Sequence, residues 1–474
     1  MTHTHDLSAI RLAAAIRARE LSPVEVADHY LDRIERLNAQ VGAYVTVTGE
    51  RFREEARTAE KQVTEAADPA ELPPLLGVPV PIKDLNMVNG VPMTFGSAIF
   101  HDLTGFADDN VVVLLRQAGS VLPGKTTTPE FGLPCYTESA VAPAARTPWD
   151  LSRSAGGSSG GAAAAVAAGL APVAQGSDGG GSIRIPSSAC GLFGLKPTRG
   201  RVSQGPVVPD LFGLSTNGPI ARTVRDAALL LDVMARPMPG DLYRAPEADG
   251  SFLAHAERPP GRLRIARSRE PAVPGAEVHP DCVAAYEDAS VLLEELGHDV
   301  VELPQVLGPE LVPIFETLWG VMATVTPVDP AREHLLQPLT RWLRERGHAT
   351  SAPELFGAHA TLQAALRAAF PVMNEFDAIL HPTLARPPVP VGHFHGQEPA
   401  ENFERQKHFT PFCAPYNVSG QPAVTVPLHW NADGLPIGVM LAGRLGGEGT
   451  LLSLAAQLEE ARPWIDRKPP IWNE

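Results

Sequence analysis

Two serines set in glycine-rich turns are the first residues with the means to do chemistry. Ser158 lies in Ser154-Ala-Gly-Gly-Ser-Ser-Gly-Gly161, and Ser182 lies in Gly176-Ser-Asp-Gly-Gly-Gly-Ser-Ile-Arg-Ile-Pro186, 24 residues further on. Glycine permits φ > 0 and lets another backbone or a substrate come close. Successive peptide N–H groups in such a turn can converge on one negative oxygen. A serine at the end of that concavity is a candidate nucleophile. A flexible Gly/Ser/Ala linker is the competing reading. A linker has no use for Ile183, Ile185, Leu192, Phe193 and Leu195, which read as core, nor for the charged pair Asp178 and Arg184 flanking the turn.

A lysine supplies the third candidate. Only six of the 39 basic residues are lysine: Lys61, Lys83, Lys125, Lys196, Lys407 and Lys468. Where arginine is the default cation, a lysine in an apolar setting stands out, because lysine can lose its proton when buried and arginine cannot. Leu76-Gly-Val-Pro-Val-Pro-Ile-Lys-Asp84 reads as a short strand that delivers Lys83 to its end. Its prolines argue against a central hydrogen-bonded position throughout. A snorkelling edge lysine is the alternative.

Two short motifs suggest other chemistries and fail on context. Gly119-Ser-Val-Leu-Pro-Gly-Lys-Thr126 fits a phosphate-binding loop, which needs a strand before the first glycine and a helix after the threonine. Here a helix over 109–118 precedes Gly119, a strand over 120–122 falls inside the loop, and Pro129 blocks a following helix. Gly156-Gly-Ser-Ser-Gly160 fits the nucleophile elbow of α/β-hydrolases, but Pro148-Trp-Asp-Leu-Ser-Arg-Ser154 is not the buried strand that must run into it.

The elements that must position these residues follow from periodicity and caps. A helix is expected within 6–20. Ser22-Pro-Val-Glu25 is a capping box opening a second helix to about Leu37. A strand over 42–47 and a charged helix over 50–66 come next. Further helices are expected over 159–170, 223–236, 280–296 and 449–461, and mainly helical structure over 305–370. Strands are expected over 172–175, 191–196, 262–266, 298–303, 378–381, 423–427 and 437–441, with 262–303 forming a βαβ unit. Residues 237–262 form a Pro/Gly/Asp-rich surface excursion. No repeat and no dividing linker is visible.

Composition bounds the function. The chain has 474 residues, 44% hydrophobic and 20% charged, which indicates a globular protein with a large core. A net charge of −15 argues against nucleic acid or an anionic membrane as the main partner. The four cysteines, Cys135, Cys190, Cys282 and Cys413, form no Cys-x-x-Cys spacing, so zinc and redox pairs are not suggested and a reducing cytoplasm is expected. Cys190 reads as a small buried hydrophobe. His3 and His5 read as solvated side chains of a terminus that has no signal-peptide pattern. The run 160–171 is too short for a membrane span.

Together the motifs resemble the amidase signature family. The likeness rests on Lys83 at a strand end, the two serine turns, Cys190-Gly-Leu-Phe-Gly-Leu-Lys-Pro-Thr198, Gly124-Lys-Thr-Thr-Thr-Pro-Glu130, Asn217-Gly-Pro-Ile-Ala-Arg-Thr-Val-Arg-Asp226, Pro382-Thr383 and Asn417-Val-Ser-Gly-Gln-Pro422. It covers nearly the whole chain. Arg146-Thr-Pro-Trp-Asp150, Lys196-Pro-Thr-Arg-Gly-Arg201 and Ala455-Ala-Gln-Leu-Glu459 look most like 6-aminohexanoate-cyclic-dimer hydrolases within that family. The resemblance implies a single α/β domain over 1–474, a mixed β-sheet covered by α-helices on both faces. Its signature core spans about 76–201, and its variable, pocket-covering helical region about 305–370.

The resemblance also implies roles. Ser182 is the nucleophile, Ser158 the bridge in a cis peptide with Gly157, and Lys83 the base, which must be neutral at rest. The N–H groups of Gly179, Gly180, Gly181 and Ser182 form the oxyanion hole. Asp178, Arg184 and Ser159 hold the loop. Family members usually carry a side chain where Gly179 stands, so a looser loop is expected here. Phe131 and Cys135 are expected near the acyl group, and Phe315 and Trp319 at the pocket cover. Core packing is the competing role for each. The reaction needs no metal or organic cofactor, and the partner is a small-molecule amide. The oligomeric state stays open, a homodimer included. Two rival readings stand beside an amidohydrolase: the glutaminase subunit of a tRNA-dependent amidotransferase, and a non-catalytic binding protein on the same scaffold.

Overall fold

In the computed structural model, which describes residues 3–209, 211–396 and 398–474, eleven strands form two sheets. A three-stranded sheet has β1 (Tyr44–Val47), β3 (Gly124–Thr126) and β2 (Ile82–Lys83) in the order β1-β3-β2. The other eight strands are β4 (Val173–Asp178), β5 (Phe193–Lys196), β6 (Thr216–Ala221), β7 (Arg264–Arg267), β8 (Asp299–Glu302), β9 (Ala378–Pro382), β10 (Ala423–Trp430) and β11 (Pro436–Gly443). They lie in the order β4-β6-β5-β10-β11-β9-β7-β8. Pairs from β4 to β9 are antiparallel, and β9-β7 and β7-β8 are parallel. The sheet is therefore mixed, as expected.

Alternation along the strands divides the core between two faces. Val424, Val439, Leu441, Leu380 and Ile265 pack with the helices Val224–Met234, Pro280–Glu295 and Glu448–Ala461. Their neighbours Ala423, Met440, Ala442, Ile379 and Ala266 face the other way, towards Ile185, Ile314, Leu318 and Tyr416. Both faces are covered by helices, and the chain forms a single α/β domain.

Local chemistry sets the helix ends. Ser22 accepts from the N–H groups of Val24 and Glu25, Glu25 reaches back to Ser22, and the helix Pro23–Val41 stops at Gly42 with φ 62°. The β7–helix–β8 unit forms with its strands parallel. Several segments differ from expectation, the helices Phe252–Ala256, Pro399–Phe409 and Pro415–Val418 among them. Residues 120–122 make only one bridge, Pro79 to Val121, and the regular strand begins at Gly124. Strand β6 was not expected. The helix Arg184–Cys190, directly after the second serine turn, was not expected either. Lys125 sits in β3 and pairs with buried Asp84 at 2.8 Å, so the phosphate-loop pattern has a structural use. Among the described residues no helix is long and apolar enough to cross a membrane.

Candidate active site

Strand β2 pairs parallel with β3 and ends on Lys83. The Lys83 N–H donates to Gln175 Oε1 at 2.9 Å, which ties β2 to β4. The Lys83 side chain has no exposure, and its Nζ lies 2.7 Å from Ser158 Oγ. Nζ is also 3.0 Å from Ser177 Oγ and 3.3 Å from Ser177 O. Burial pushes the Lys83 ammonium down to about 7, against the opposing field of Asp178. Lys196 is pushed down to about 7 as well, first by burial and then by Arg184. Its Nζ donates to Pro197 O at 2.8 Å and touches neither serine, so geometry separates the two lysines.

Ser158 is joined to Gly157 by a cis peptide. A Cβ at Gly157 would lie 2.7 Å from the Tyr136 carbonyl carbon, so only glycine lets the two backbones pack this closely. Ser159 stitches the two serine turns together. Its N–H donates to Ser182 O at 3.1 Å, its Oγ donates to Ser177 O at 3.1 Å and accepts from Ser177 N–H at 3.2 Å.

The second turn is held from within and from far away. Arg184 pairs with Asp178 through Nε–Oδ2 and Nη2–Oδ1, both 2.9 Å, with both side chains fully buried. Arg184 also donates to Cys413 O at 2.9 Å and to Asn417 Oδ1 at 2.6 Å. Asn417 Nδ2 returns to Asp178 O and Oδ1 at 3.0 and 2.9 Å. The guanidinium holds the Asp178 carboxyl well below the usual carboxylate range despite burial, and Asp178 holds Arg184 above its ordinary value. Gly181 departs from expectation: its N–H donates to Asp178 Oδ1 at 2.7 Å. The N–H groups of Gly179, Gly180 and Ser182 meet no acceptor among the described residues. Ser182, 6% exposed, forms part of a cavity wall.

Two cavities meet this turn. The first holds about 770 Å³ of space, part of it open to solvent, and is lined by Ser182, Gly180, Cys135, Phe315 and Trp319. The second, about 1360 Å³ on the same measure, is lined by Phe131, Ser177 and Asn217. Phe131 is thus separated from Cys135, Phe315 and Trp319, with which the sequence grouped it. Phe315 and Trp319 stack at 5.1 Å between ring centroids. A Cβ at Gly179 would sit 3.4 Å from Trp319 Cζ3 and Cη2, and one at Gly180 would sit 3.2 Å from Phe315 Cζ. The aromatic pair thus covers the triple-glycine turn, in ordinary contact range of a side chain at Gly179 and tight against one at Gly180.

Such a site, with a lysine biased towards neutrality beside one serine and a second serine under free N–H groups, can perform acyl transfer. A family model described as Amidase matches residues 25–452. The chain belongs to the amidase signature family. It is 42% identical over 452 residues to the putative amidase AmiB2 of Mycobacterium tuberculosis, covering 93% of each chain. It is 36% identical to the acylamidase of Rhodococcus erythropolis, covering 98% of this chain and 97% of the other. The solved structure of 6-aminohexanoate cyclic dimer hydrolase complexed with substrate matches with a TM-score of 0.90 at 31% identity, covering 99% of this chain and all of the other. This amidase-family chain is an amidohydrolase, and its fold is that of the family.

Sequence reasoning missed Ser177, Gln175 and Asn417. Ser177 is one residue from the Asp178 turn, but its approach to Lys83 depends on β2 packing against β4. Asn417 lay inside a quoted motif, and only the fold brings it to Arg184. Cys190 is buried, and burial pushes its thiol up to about 12, which suits packing and not nucleophilic attack.

Proposed function

We propose that the protein hydrolyses carboxylic amides through an acyl-enzyme on Ser182. Ser182 Oγ bonds to the amide carbonyl carbon while its proton passes to Ser158 and Ser158's proton passes to neutral Lys83. The carbonyl oxygen becomes an oxyanion, met by the N–H groups of Gly179, Gly180 and Ser182. The C–N bond then breaks, and the proton returns from Lys83 through Ser158 to the departing amine. Water repeats the sequence on the ester, releasing the acid and restoring Ser182. Amide and water are consumed, and acid and amine are formed. The observation that carries this reading is the fully buried 2.7 Å contact between Lys83 and Ser158, beside a turn that presents Ser182 to a cavity. Asp178, Arg184 and Ser159 support the turn and take no part in bond making. The buried free cysteines support a reducing, cytoplasmic setting.

The names of the relatives direct the substrate search to aminohexanoate-type and aryl acyl amides, and carbamates widen it. The test is mass-spectrometric product analysis of wild type and Ser182→Ala on a mixed panel: glutamine, aliphatic amides, anilides, carbamates and aminohexanoate oligomers. Wild type is expected to cleave members of the panel, with a fall of about 10⁴-fold or more in the variant. Equal cleavage by both proteins refutes the role of Ser182. Cleavage of glutamine alone points to the amidotransferase glutaminase.

A further inference from the structure

Resting on the reading above, we propose that the substrate is an N-substituted amide held across the Ser182 turn, with its apolar acyl group in the first cavity and its amine moiety, bearing a hydrogen-bond acceptor, in the second. Trp319 separates the two. Three elements pass between the cavities, two running from the second to the first and the third in the opposite direction. On the nucleophile segment Ser177 faces the second cavity, and Gly180 and Ser182 face the first. On the turn after Glu130, Phe131 faces the second, and Leu133 and Cys135 face the first. On the helix Val312–Met322, Met322 faces the second, and Phe315 and Trp319 face the first. Leu133 and Trp319 form one packed cluster with Phe131, Phe315 and Met322, which is the wall between them.

The direction follows from where the proton comes from. The leaving nitrogen must receive a proton from the Lys83–Ser158 side. Ser177, with Oγ 3.0 Å from Lys83 Nζ, lines the second cavity together with Leu85. Just beside them, the position of a Cβ at Gly132 is 2.5 Å from Leu85 Cδ1 and 3.4 Å from Ser158 Oγ. The nucleophile and the free Gly180 N–H face the first cavity, where the acyl carbon must remain.

Hydrogen-bond accounting gives each guest its chemistry. In the first cavity Gln406, Lys407 and Thr410 already have partners, which leaves Ser182 as the group free to react. Gln406 accepts from Cys135 N–H at 2.9 Å and donates to Asn402 Oδ1 at 2.6 Å, and Lys407 pairs with Glu316 and Glu404. An apolar acyl group loses nothing there. In the second cavity Gln204 Nε2 is buried and meets no acceptor among the described residues. Once the Gln204 side chain turns into the cavity, a carbonyl or ether oxygen on the amine moiety would satisfy it. A primary amide or glutamine would leave that cavity unused.

The test measures kcat/KM for two series: acetyl and decanoyl anilides, and decanoyl amides of ammonia, aniline and 4-acetamidoaniline. Wild type is expected to prefer decanoyl over acetyl, and 4-acetamidoanilide over decanamide, by tenfold or more each. Thr410→Trp and Ala272→Phe narrow the first cavity and should collapse the acyl ratio. Val208→Trp and Val325→Trp narrow the second and should collapse the amine ratio, the two variants per cavity guarding against one that fails to fold. Gln204→Leu should cut the preference for 4-acetamidoaniline over aniline by about tenfold. Reversed responses, one common response, or no amine preference in wild type overturn the inference while leaving amide hydrolysis intact. Failure to cleave any of these amides and any of the earlier panel removes the hydrolytic reading and this inference together.

Discussion

Replacing Lys83 by methionine tests the mechanism and the energetics of burial at once. At pH 7 an ordinary lysine, with a pKa of ~10.4, is neutral in about four molecules in ten thousand. Held down to about 7 by burial, Lys83 is neutral in about half, so burial raises the population of the base roughly a thousandfold. Activity should therefore rise with pH, reach half its plateau near 7 and fall about tenfold per pH unit below that. The stability sign runs the other way. Below pH ~10 the unfolded chain binds a proton that the buried site resists, so stability drains away as pH falls from ~10 to ~7 and levels off beneath. At ~1.4 kcal/mol for each tenfold, the cost at pH 7 is on the order of 4 kcal/mol. Lys83→Met should lower kcat by ~10³-fold or more and yet raise the midpoint of thermal unfolding. The assays are initial rates over pH 5–10 and calorimetry at pH 7. An inflection near 10, a flat profile from pH 5 to 8, or a variant that is both active and less stable would refute the reasoning. Lys196→Met should leave the inflection in place, because Lys196 touches neither serine.

Asp178→Asn removes half of a fully buried ion pair, and thermal unfolding should show a loss of about 3–5 kcal/mol with activity falling alongside as the Gly181 N–H is released. Gly181→Ala should destabilise by ~2 kcal/mol or more in denaturant titration, since Gly181 has φ 124° and the new Cβ would meet Cys413 Cβ at 2.6 Å. At the N-terminus, His5 Nδ1 lies 3.0 Å from His29 Nε2, and His5 also packs against Trp472. Burial and then Arg33 push His5 down to about 3 and His29 to about 4. Both are neutral in the folded protein, so the stability they contribute is complete above about 6.5 and is lost as pH falls from there towards 3. Hydrogen exchange at pH 4.5 should show faster opening of residues 3–8 and 470–474 than at pH 6.5, once corrected for intrinsic rates.

Much of the site was legible because its chemistry is local. Both serine turns, the Asp178–Arg184 pair six residues apart and the strand ending on Lys83 lie within short stretches whose residue types state their conformation. The capping box at Ser22 was legible for the same reason. Strand β6 was hidden by Gly218 and Pro219. It is tolerated because β5 pairs only with Ile220 and Ala221, so Pro219 sits beyond that ladder and needs no N–H on that side. The helix Arg184–Cys190 was hidden by Pro186, whose missing N–H falls in the first turn, where no helical partner exists. Contacts between distant segments left no local mark. Trp319 covering Gly179, Asn417 capping Arg184 and Ser177 reaching Lys83 are products of the assembled fold.

The clamp on Arg184 also sets the order of events at birth. Two of the four oxygens that accept from its side chain, Cys413 O and Asn417 Oδ1, follow it by 229 and 233 residues, and β5 waits for β10 to complete its second edge. When the nucleophile turn leaves the ribosome, its buried cation has no cap and its neighbouring strand is half paired. Competence must then arrive late in synthesis, once the segment through β10 has emerged. Each nascent chain is inert for most of its elongation, and a truncation anywhere before Asn417 should give a protein with no partial activity.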